Sequence, residues 1–504
     1  MRKFFKIFFT ILCLIILCFG IREFYIRKTT VRIALIYTSD IHGHILPEKH
    51  HDDRTGETFE TGGAGSLEMY LSEIEVPYLL LDAGDIFMGT PEGALGQGEM
   101  IVKIMNKLNY RAVACGNHEL DYGLPHFEKL SLSADFPFLC CNLFLRDGSQ
   151  IPSVSPFAVF DVAGIKVGVI GVIEEDIDKV LFAETASQFT VASASGTVQK
   201  CVDEISGKCE VVVVLSGLGL ENDKKLAGQV KGIDVIAGGE THIALEDAVK
   251  IGKTTVAEPG WGLQYAGRID LRVGKKGVAR KKWRLEKLLT SVYPPTVIVQ
   301  EILPLYETPE YRSLNEVVGF ASSWIMRRAG DSPDVPLGNL VTDIMRASAK
   351  TDFAFQNLFG IRDDIAPGAV RARDLSAVSP FGNTIVKMLL TGAQVRGVLR
   401  QSATGEKGYL QLSGLKMVLN SRLPADKRLL NVIVGGKEID DEAEYSVATN
   451  NFVAGGGDGF KTFLEGKEIK DTLIKLRDAE IDYFRSNSPV KAEIEGRIID
   501  INQD

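Results

Sequence analysis

No two cysteines of this chain stand at C-x-x-C spacing, and the seven present are an odd number. Zinc-finger and thioredoxin-type sites are excluded on that ground. Cys13 and Cys18 fall in an apolar N-terminal run, which leaves Cys115, Cys140, Cys141, Cys201 and Cys209 for the folded body. Buried free thiols are the favoured reading for these five, with a Cys201–Cys209 bridge as the alternative in an oxidising compartment. Short-period repeats and low-complexity tracts are absent as well, so repeat architectures are excluded. Basic charge is scarce: beyond residue 28 the chain carries 51 Lys and Arg against 65 Asp and Glu. So acidic a body lacks the face that neutralises a phosphate backbone, and nucleic acid is excluded as a partner. Any phosphate it handles must be met by local arginines or by metal ions. What remains is ordinary globular material, 45% hydrophobic and 24% charged over 504 residues, enough for two or three domains.

The N-terminus reads as an address. Arg2, Lys3 and Lys6 precede an apolar run over residues 7–21, the n-region and h-region of a secretory signal. That run has 15 residues, fewer than a typical spanning helix needs. No small-x-small cleavage site follows it, because the first alanine is Ala34. Residues 1–28 are therefore expected to be a signal peptide or, preferably, an uncleaved signal-anchor. The chain is expected outside the cytoplasm, periplasmic or on the cell surface, held to the membrane by its N-terminus.

From residue 30 onward, continuous runs rich in Val, Ile and Leu recur at 31–37, 76–81, 111–115, 211–215 and 233–237, with further strands expected at 164–171 and 267–273. Continuous rather than alternating apolar runs mark strands buried on both faces, and the helical stretches between them indicate layered α/β architecture. This pattern predicts a first domain over 30–290. Tyr293-Pro294-Pro295 breaks it, and residues 296–312 have helical period, so 291–313 is expected to be a linker helix. A second α/β domain is expected over 314–504, opening with a helix near 338–350.

All seven histidines lie before the linker: His42, His44, His50, His51, His118, His126 and His242. Several sit where strands end. The first strand runs into Ser39-Asp40-Ile41-His42-Gly43-His44, the second into Asp82-Ala83-Gly84-Asp85, and the third into Gly116-Asn117-His118-Glu119-Leu120-Asp121. A late strand runs into Gly238-Gly239-Glu240-Thr241-His242. In open α/β sheets ligands bind beyond the carboxyl ends of strands, so these loops are expected to converge. Asp, Asn and His together form a mixed oxygen and nitrogen donor set suited to Zn, Mn or Fe rather than a sulfur site. Any one loop alone is explained by turn or cap chemistry. Four in succession are not.

With these residues in view, Asp-x-His, Gly-Asp, Gly-Asn-His-Glu and the late Gly-Gly-x-x-His resemble the calcineurin-like metallophosphoesterases. The longer forms, Asp40 to His44 and Gly116 to Asp121, resemble the 5′-nucleotidase/UDP-sugar hydrolase family. The resemblance implies a four-layer α/β sandwich joined by a helix to a smaller α/β substrate-binding domain. It also implies two divalent cations (Mn, Zn or Mg). Asp40, His42, Asp85 and His242 would hold the first, and Asp85 would bridge to the second, which Asn117 also binds. His118 would face the phosphorus and stabilise the charge developing there, with Asp121 fixing its tautomer. Paired cations lower the pKa of a shared water and clamp phosphoryl oxygens, so attack by metal-activated hydroxide removes the phosphate.

Two positions depart from that pattern. Where the family has Ser-His-x-Gly this chain has Ser216-Gly217-Leu218-Gly219, and where it has Gly-Gly-His-x-His this chain has Glu240 in place of the first imidazole. Three readings stay open. An oxygen-only second site can persist through Asp85, Asn117 and Glu240; a second metal can arrive with substrate; or catalysis is lost and the fold binds a nucleotide without cleaving it. His44, His50 and His51 are expected to be solvated loop residues, with a substitute-ligand role as the alternative.

The resemblance continues past the linker. Asn357, Gly360 and Arg362 match Asn-x-Gly-Gly-x-Arg, while Pro380-Phe381-Gly382-Asn383 and the run from Asn451 to Phe460 match closely. It implies that Phe381 and Phe452 sandwich a nucleobase, Asp458 takes the ribose hydroxyls, and Asn357, Gly360 and Arg362 meet the remaining polar groups. The glycine run 455–459 lacks the spacing of a dinucleotide fingerprint. An Arg that the family often places before Gly338 is Asp331 here, with Arg327 and Arg328 nearby. The expected function is metal-dependent hydrolysis of nucleotides or related phosphoesters, in nucleotide catabolism; the alternative is a catalytically impaired ligand-binding homologue.

Overall fold

A computed structural model of the chain describes residues 29–51, 55–177, 181, 183–275, 277–330, 332–406 and 408–502. Residues 1–28, expected to be the signal segment and holding Cys13 and Cys18, and Asp331 lie outside the described residues. Among those described, no helix is long and apolar enough to cross a membrane.

Two sheets face each other in the first half of the chain. One has seven strands in the order Gly277–Lys287, Tyr265–Gly274, Val31–Thr38, Tyr78–Asp82, Ala112–Ala114, Phe138–Leu139, Val154–Ser155. The other has six and centres on Ile165–Ile173, Val211–Gly217 and Val235–Gly238, which run parallel. The continuous apolar runs are explained by what covers each face. Ile33, Leu35 and Tyr37 point between the sheets, against Val167, Val169, Val213 and Leu215. Ala34 and Ile36 point the other way, into a core shared with helices Gly63–Ser72 and Glu99–Lys107. Val212 and Val214 likewise meet helices Ala194–Ile205 and Leu220–Gln229 on the outside of the second sheet. The order is helix, sheet, sheet, helix. All seven runs expected to be strands contain one, and the mixed α/β architecture stands.

The second half is built on a five-stranded sheet in the order Gln411–Ser413, Phe353–Gln356, Glu444–Asn450, Thr384–Thr391, Lys467–Lys475. Helix Pro336–Ala349, starting two residues earlier than expected, buries Leu337, Val341, Ile344 and Met345 against it.

The single linker helix expected over 296–312 is corrected. Residues Ile298–Ile302 form one short helix, Leu303–Leu305 a 3-10 turn, and Pro309–Ser313 a second short helix. Pro304 and Pro309 supply no N–H to continue the ladder, and the Thr308 hydroxyl caps the second helix by accepting from Tyr311 N at 3.1 Å. Ile298, Val299, Ile302 and Tyr311 all pack into the first-half core. Cys115, Cys140, Cys141 and Cys201 are buried free thiols and Cys209 is half-buried, so the Cys201–Cys209 bridge is not formed.

Candidate functional site

Parallel strands deliver their carboxyl ends to one edge, and the loops there carry the expected side chains. Asp40 and His42 follow Val31–Thr38, Asp85 follows Tyr78–Asp82, Asn117 and His118 follow Ala112–Ala114, and Glu240 and His242 follow Val235–Gly238. Tight reversal has a backbone signature. Asp40, His42, Asp85, Glu240 and His242 all take positive φ, between 48° and 75°. Left-handed backbone is costly for residues with a Cβ, and such outliers collect where a site over-determines them.

At the centre, Asp40, His42 and His242 each place a donor atom within 4.8 Å of the others. His42 Nε2 and His242 Nε2 are 3.1 Å apart, and His242 Nε2 is 3.8 Å from Asp40 Oδ1. The His42 Nδ1–H donates to the Met88 carbonyl at 2.7 Å, which fixes its tautomer and leaves Nε2 with a lone pair facing inward. Burial, reinforced by the Arg362 guanidinium, holds both imidazoles well below their ordinary pKa, so they are neutral. Burial and the neighbouring Asp85 charge push the Asp40 carboxyl well above its usual range. Two converging imidazole lone pairs and crowded carboxylates form a donor set that a divalent cation fits. Asp85 lies outside the tight group; its Oδ1 accepts from His118 N at 2.9 Å.

Glu119 ties the second and third loops together. Its fully buried carboxylate accepts from Asp85 N at 3.1 Å, Ile86 N at 2.8 Å and Gly116 N at 2.6 Å. Burial and the Asp85 charge push it up to about 8. The Gly-Asn-His-Glu motif by itself gives Glu119 no role, although an acid enclosed by such a turn is the signal to look for. Gly116 is required beside it, since a Cβ there would stand 2.4 Å from Asp85 Oδ1.

His118 Nδ1 lies 2.7 Å from Asp121 Oδ2. Burial pulls the imidazole down, but Asp121 outweighs it and the pKa is raised to about 8. His118 is therefore a cation near neutral pH, with Nε2 pointing away from the Asp121 contact.

The second half closes over these groups. A cavity of about 480 Å³ is lined by His42, Asp85, Asn117, His118, Asp121, Glu240 and His242 from the first half and by Asn357, Gly360, Arg362, Phe381, Phe452 and Asp458 from the second. Asp40 is the one expected site residue that does not line it, being 1% exposed beneath the cavity floor. Arg362 Nη2 donates to His42 Nε2 at 2.9 Å, and Phe381 stacks on His118. Asn357 Nδ2 donates to Asp458 Oδ2 at 2.7 Å, while Asn357 Oδ1 accepts from Asn450 Nδ2 at 2.9 Å. Arg327 and Arg328 also line the cavity. Gly217 ends its strand in open space: a Cβ placed there would find Val172 O, at 3.8 Å, as its nearest neighbour.

The expectation that the loop histidines are solvated is corrected for His44 and His50. His44 is 2% exposed, with Nδ1 2.7 Å from Glu48 Oε2 and its ring edge-on to Trp261. His50 is half-buried against Thr61 Oγ1 at 2.7 Å, and the His51 ring stacks on Trp324. None joins the Asp40, His42 and His242 group. Trp261, which no sequence motif singles out, stacks on His242 with centroids 5.3 Å apart and planes at 12°.

Residues 317–465 match the family described as 5′-nucleotidase, C-terminal domain. The chain is 27% identical over 503 residues to the endonuclease YhcR of Bacillus subtilis, covering 93% of this chain and 41% of that protein. It is 26% identical over 520 residues to a 5′-nucleotidase of Vibrio cholerae, covering 92% of this chain and 91% of that one. The crystal structure of a 5′-nucleotidase precursor from Thermus thermophilus superposes with a TM-score of 0.86 at 29% identity, over 94% of this chain and 100% of that one. The chain thus spans about two-fifths of the length of the Bacillus relative, and most of the other two.

Proposed function

We propose that the chain, similar over residues 317–465 to the 5′-nucleotidase C-terminal domain family and over most of its length to 5′-nucleotidases, is a metal-dependent phosphohydrolase. Its substrates are nucleotides or related phosphoesters. The observation that carries this reading is the shared cavity in which a buried imidazole–carboxylate group from the first domain meets Asn357, Arg362, Phe381, Phe452 and Asp458 from the second.

Asp40, His42 and His242 would hold a divalent cation, with Asp85, Asn117 and Glu240 as the oxygen donors for a second. When bound, such cations supply Lewis-acid polarisation of the phosphoryl group and activation of water. The remaining work falls to side chains of this chain. Arg362 brings a fixed positive charge to the cavity floor, where a phosphate oxygen is met by a planar pair of N–H donors. His118, protonated near neutral pH, donates from Nε2 towards charge that develops on the phosphoryl oxygens, while Asp121 holds its other nitrogen. Phe381 and Phe452 offer aromatic faces to a base, which tolerates base identity. Asp458, oriented by Asn357, faces sugar hydroxyls. The basic-then-apolar leader supports export, and with it a role in breaking down nucleotides outside the cytoplasm.

Phosphate release from 5′-AMP and from a chromogenic phosphoester, with Zn, Mn or Mg added to the metal-stripped chain, tests the reading. Hydrolysis that needs the metal and disappears in His118→Ala supports it. Nucleotide binding without turnover, with turnover gained by Gly217→His/Glu240→His, overturns it in favour of a ligand-binding role.

A further inference from the structure

A second cluster of donor groups lies away from the cavity lining. His44 and Glu48 sit four residues apart on the loop and strand that follow the first catalytic turn, and Asp363 comes from the other domain, 315 positions after Glu48. One donor atom from each lies within 4.8 Å of the other two. Neither His44, Glu48 nor Asp363 lines the nucleotide cavity.

The surroundings fix these groups. The His44 ring is buried edge-on against Trp261 with centroids 4.9 Å apart, and Nδ1 is 2.7 Å from Glu48 Oε2. Asp363 Oδ1 accepts from Asp364 N at 2.8 Å, and Asp364 Oδ1 accepts from Arg327 N at 2.6 Å. Arg327 in turn lies over the Trp261 ring at 4.6 Å. Both domains are thus pinned around the cluster, and its geometry belongs to the closed arrangement. Burial and the Glu48 charge push the Asp363 carboxyl up to about 7, a sign of carboxylates crowded together.

We propose that His44, Glu48 and Asp363 form a separate divalent-cation site that bridges the two domains. One imidazole nitrogen and two carboxylates make a mixed donor set for Zn or Mn, and the two negative charges balance the ion. Ligand bonds of about 2.1 Å place donors about 3–4 Å apart, so only small side-chain adjustments close the present spread. Asp363 adjoins Arg362, whose guanidinium reaches His42. An ion held here therefore fixes Arg362 in the cavity, and the site acts as a clasp on the closed state rather than as a reacting centre.

Counting metal tests this without recourse to hydrolysis, so failure of the proposed activity and failure of this site read out separately. The full chain is dialysed against Zn²⁺ or Mn²⁺ and its metal content measured per chain. The His42→Ala/His242→Ala variant is expected to lose the ion those imidazoles hold while keeping the one at His44, Glu48 and Asp363, and adding either Glu48→Gln or Asp363→Asn to it is expected to lower the count by one more. Each single variant of Glu48 or Asp363 in the otherwise unchanged chain is expected to bind one ion fewer. Circular dichroism melting checks that the variants fold, and two independent ligand positions guard against loss of either. An unchanged count in folded Glu48→Gln and Asp363→Asn chains overturns the proposal and leaves His44 as an ion-pair partner of Glu48 only.

Discussion

Phe381 of the second domain lies face to face with His118 of the first, centroids 5.8 Å apart and planes 15° from parallel. The Arg362 guanidinium stands 5.8 Å from the same ring. A residue expected to stack on a nucleobase thus also packs on the imidazole of the His118–Asp121 pair. On the proposed reading, base recognition and the reacting end of the cavity share one side chain, so substitution there is expected to reach both.

His118→Ala removes the cationic donor and is expected to lower kcat by about 10²–10³, the usual cost of losing one such group. Asp121→Asn keeps the volume but loses the carboxylate that holds Nδ1–H, so a smaller drop in kcat with little change in KM is expected. Steady-state kinetics on 5′-AMP read both.

Phe452→Ala is expected to raise KM for nucleotides by about 5- to 150-fold, corresponding to about 1–3 kcal/mol of stacking. KM for a small aryl phosphate stays within a few-fold of the unchanged chain. Phe381→Ala is expected to lower kcat as well, because of its contact with His118. Equal effects on both substrates would remove these rings from base recognition.

Gly217→His/Glu240→His is expected to fold normally, because a Cβ at 217 meets nothing closer than 3.8 Å. The added imidazoles give the second cation nitrogen donors, so preference shifts from Mn or Mg towards Zn. Metal titration followed by activity measures the shift.

Glu480 lies 2% exposed beside Ser379, whose hydroxyl donates to Oε1 at 2.8 Å. Burial pushes the carboxyl from 4.5 up to about 8. A folded pKa raised above the unfolded one means that the folded chain holds the extra proton. The stability that this brings is complete below pH 4.5 and is lost as pH rises through about 8. Glu480→Gln is expected to flatten that loss, and to melt above the unchanged chain at about pH 8.5, just past that folded value. Thermal melts from about pH 5 to about pH 9 span the window and decide it.

Much of this was legible in the linear chain, for physical reasons. Ile33, Leu35 and Tyr37 face one apolar layer while Ala34 and Ile36 face another, so the run had to be continuous. Asp40, Asp85, His118 and His242 were visible because strand ends concentrate polar residues that no core explains. The break in the linker was written in Pro304 and Pro309, but apolar periodicity across them read as one helix. His44 was illegible: its burial depends on Trp261 and on closure of Asp363's domain, both far along the chain, and loop position alone suggests water. Trp261 gave no signal for the same reason. A lone indole reads as core until the imidazole it covers is placed in space.

The five left-handed residues at the edge proposed to hold the cations set a conflict between durability and activity. Glycine at His42, Glu240 or His242 would relax a backbone conformation costing about 1 kcal/mol or more at each position, while discarding the donor that the site requires. A variant stripped of its ligands is therefore expected to outlast the intact chain in heat when no cation is supplied. Saturating cation reverses the ranking, because binding to the folded form alone adds stability that grows with ion concentration. Selection for thermal robustness alone would erode this site first.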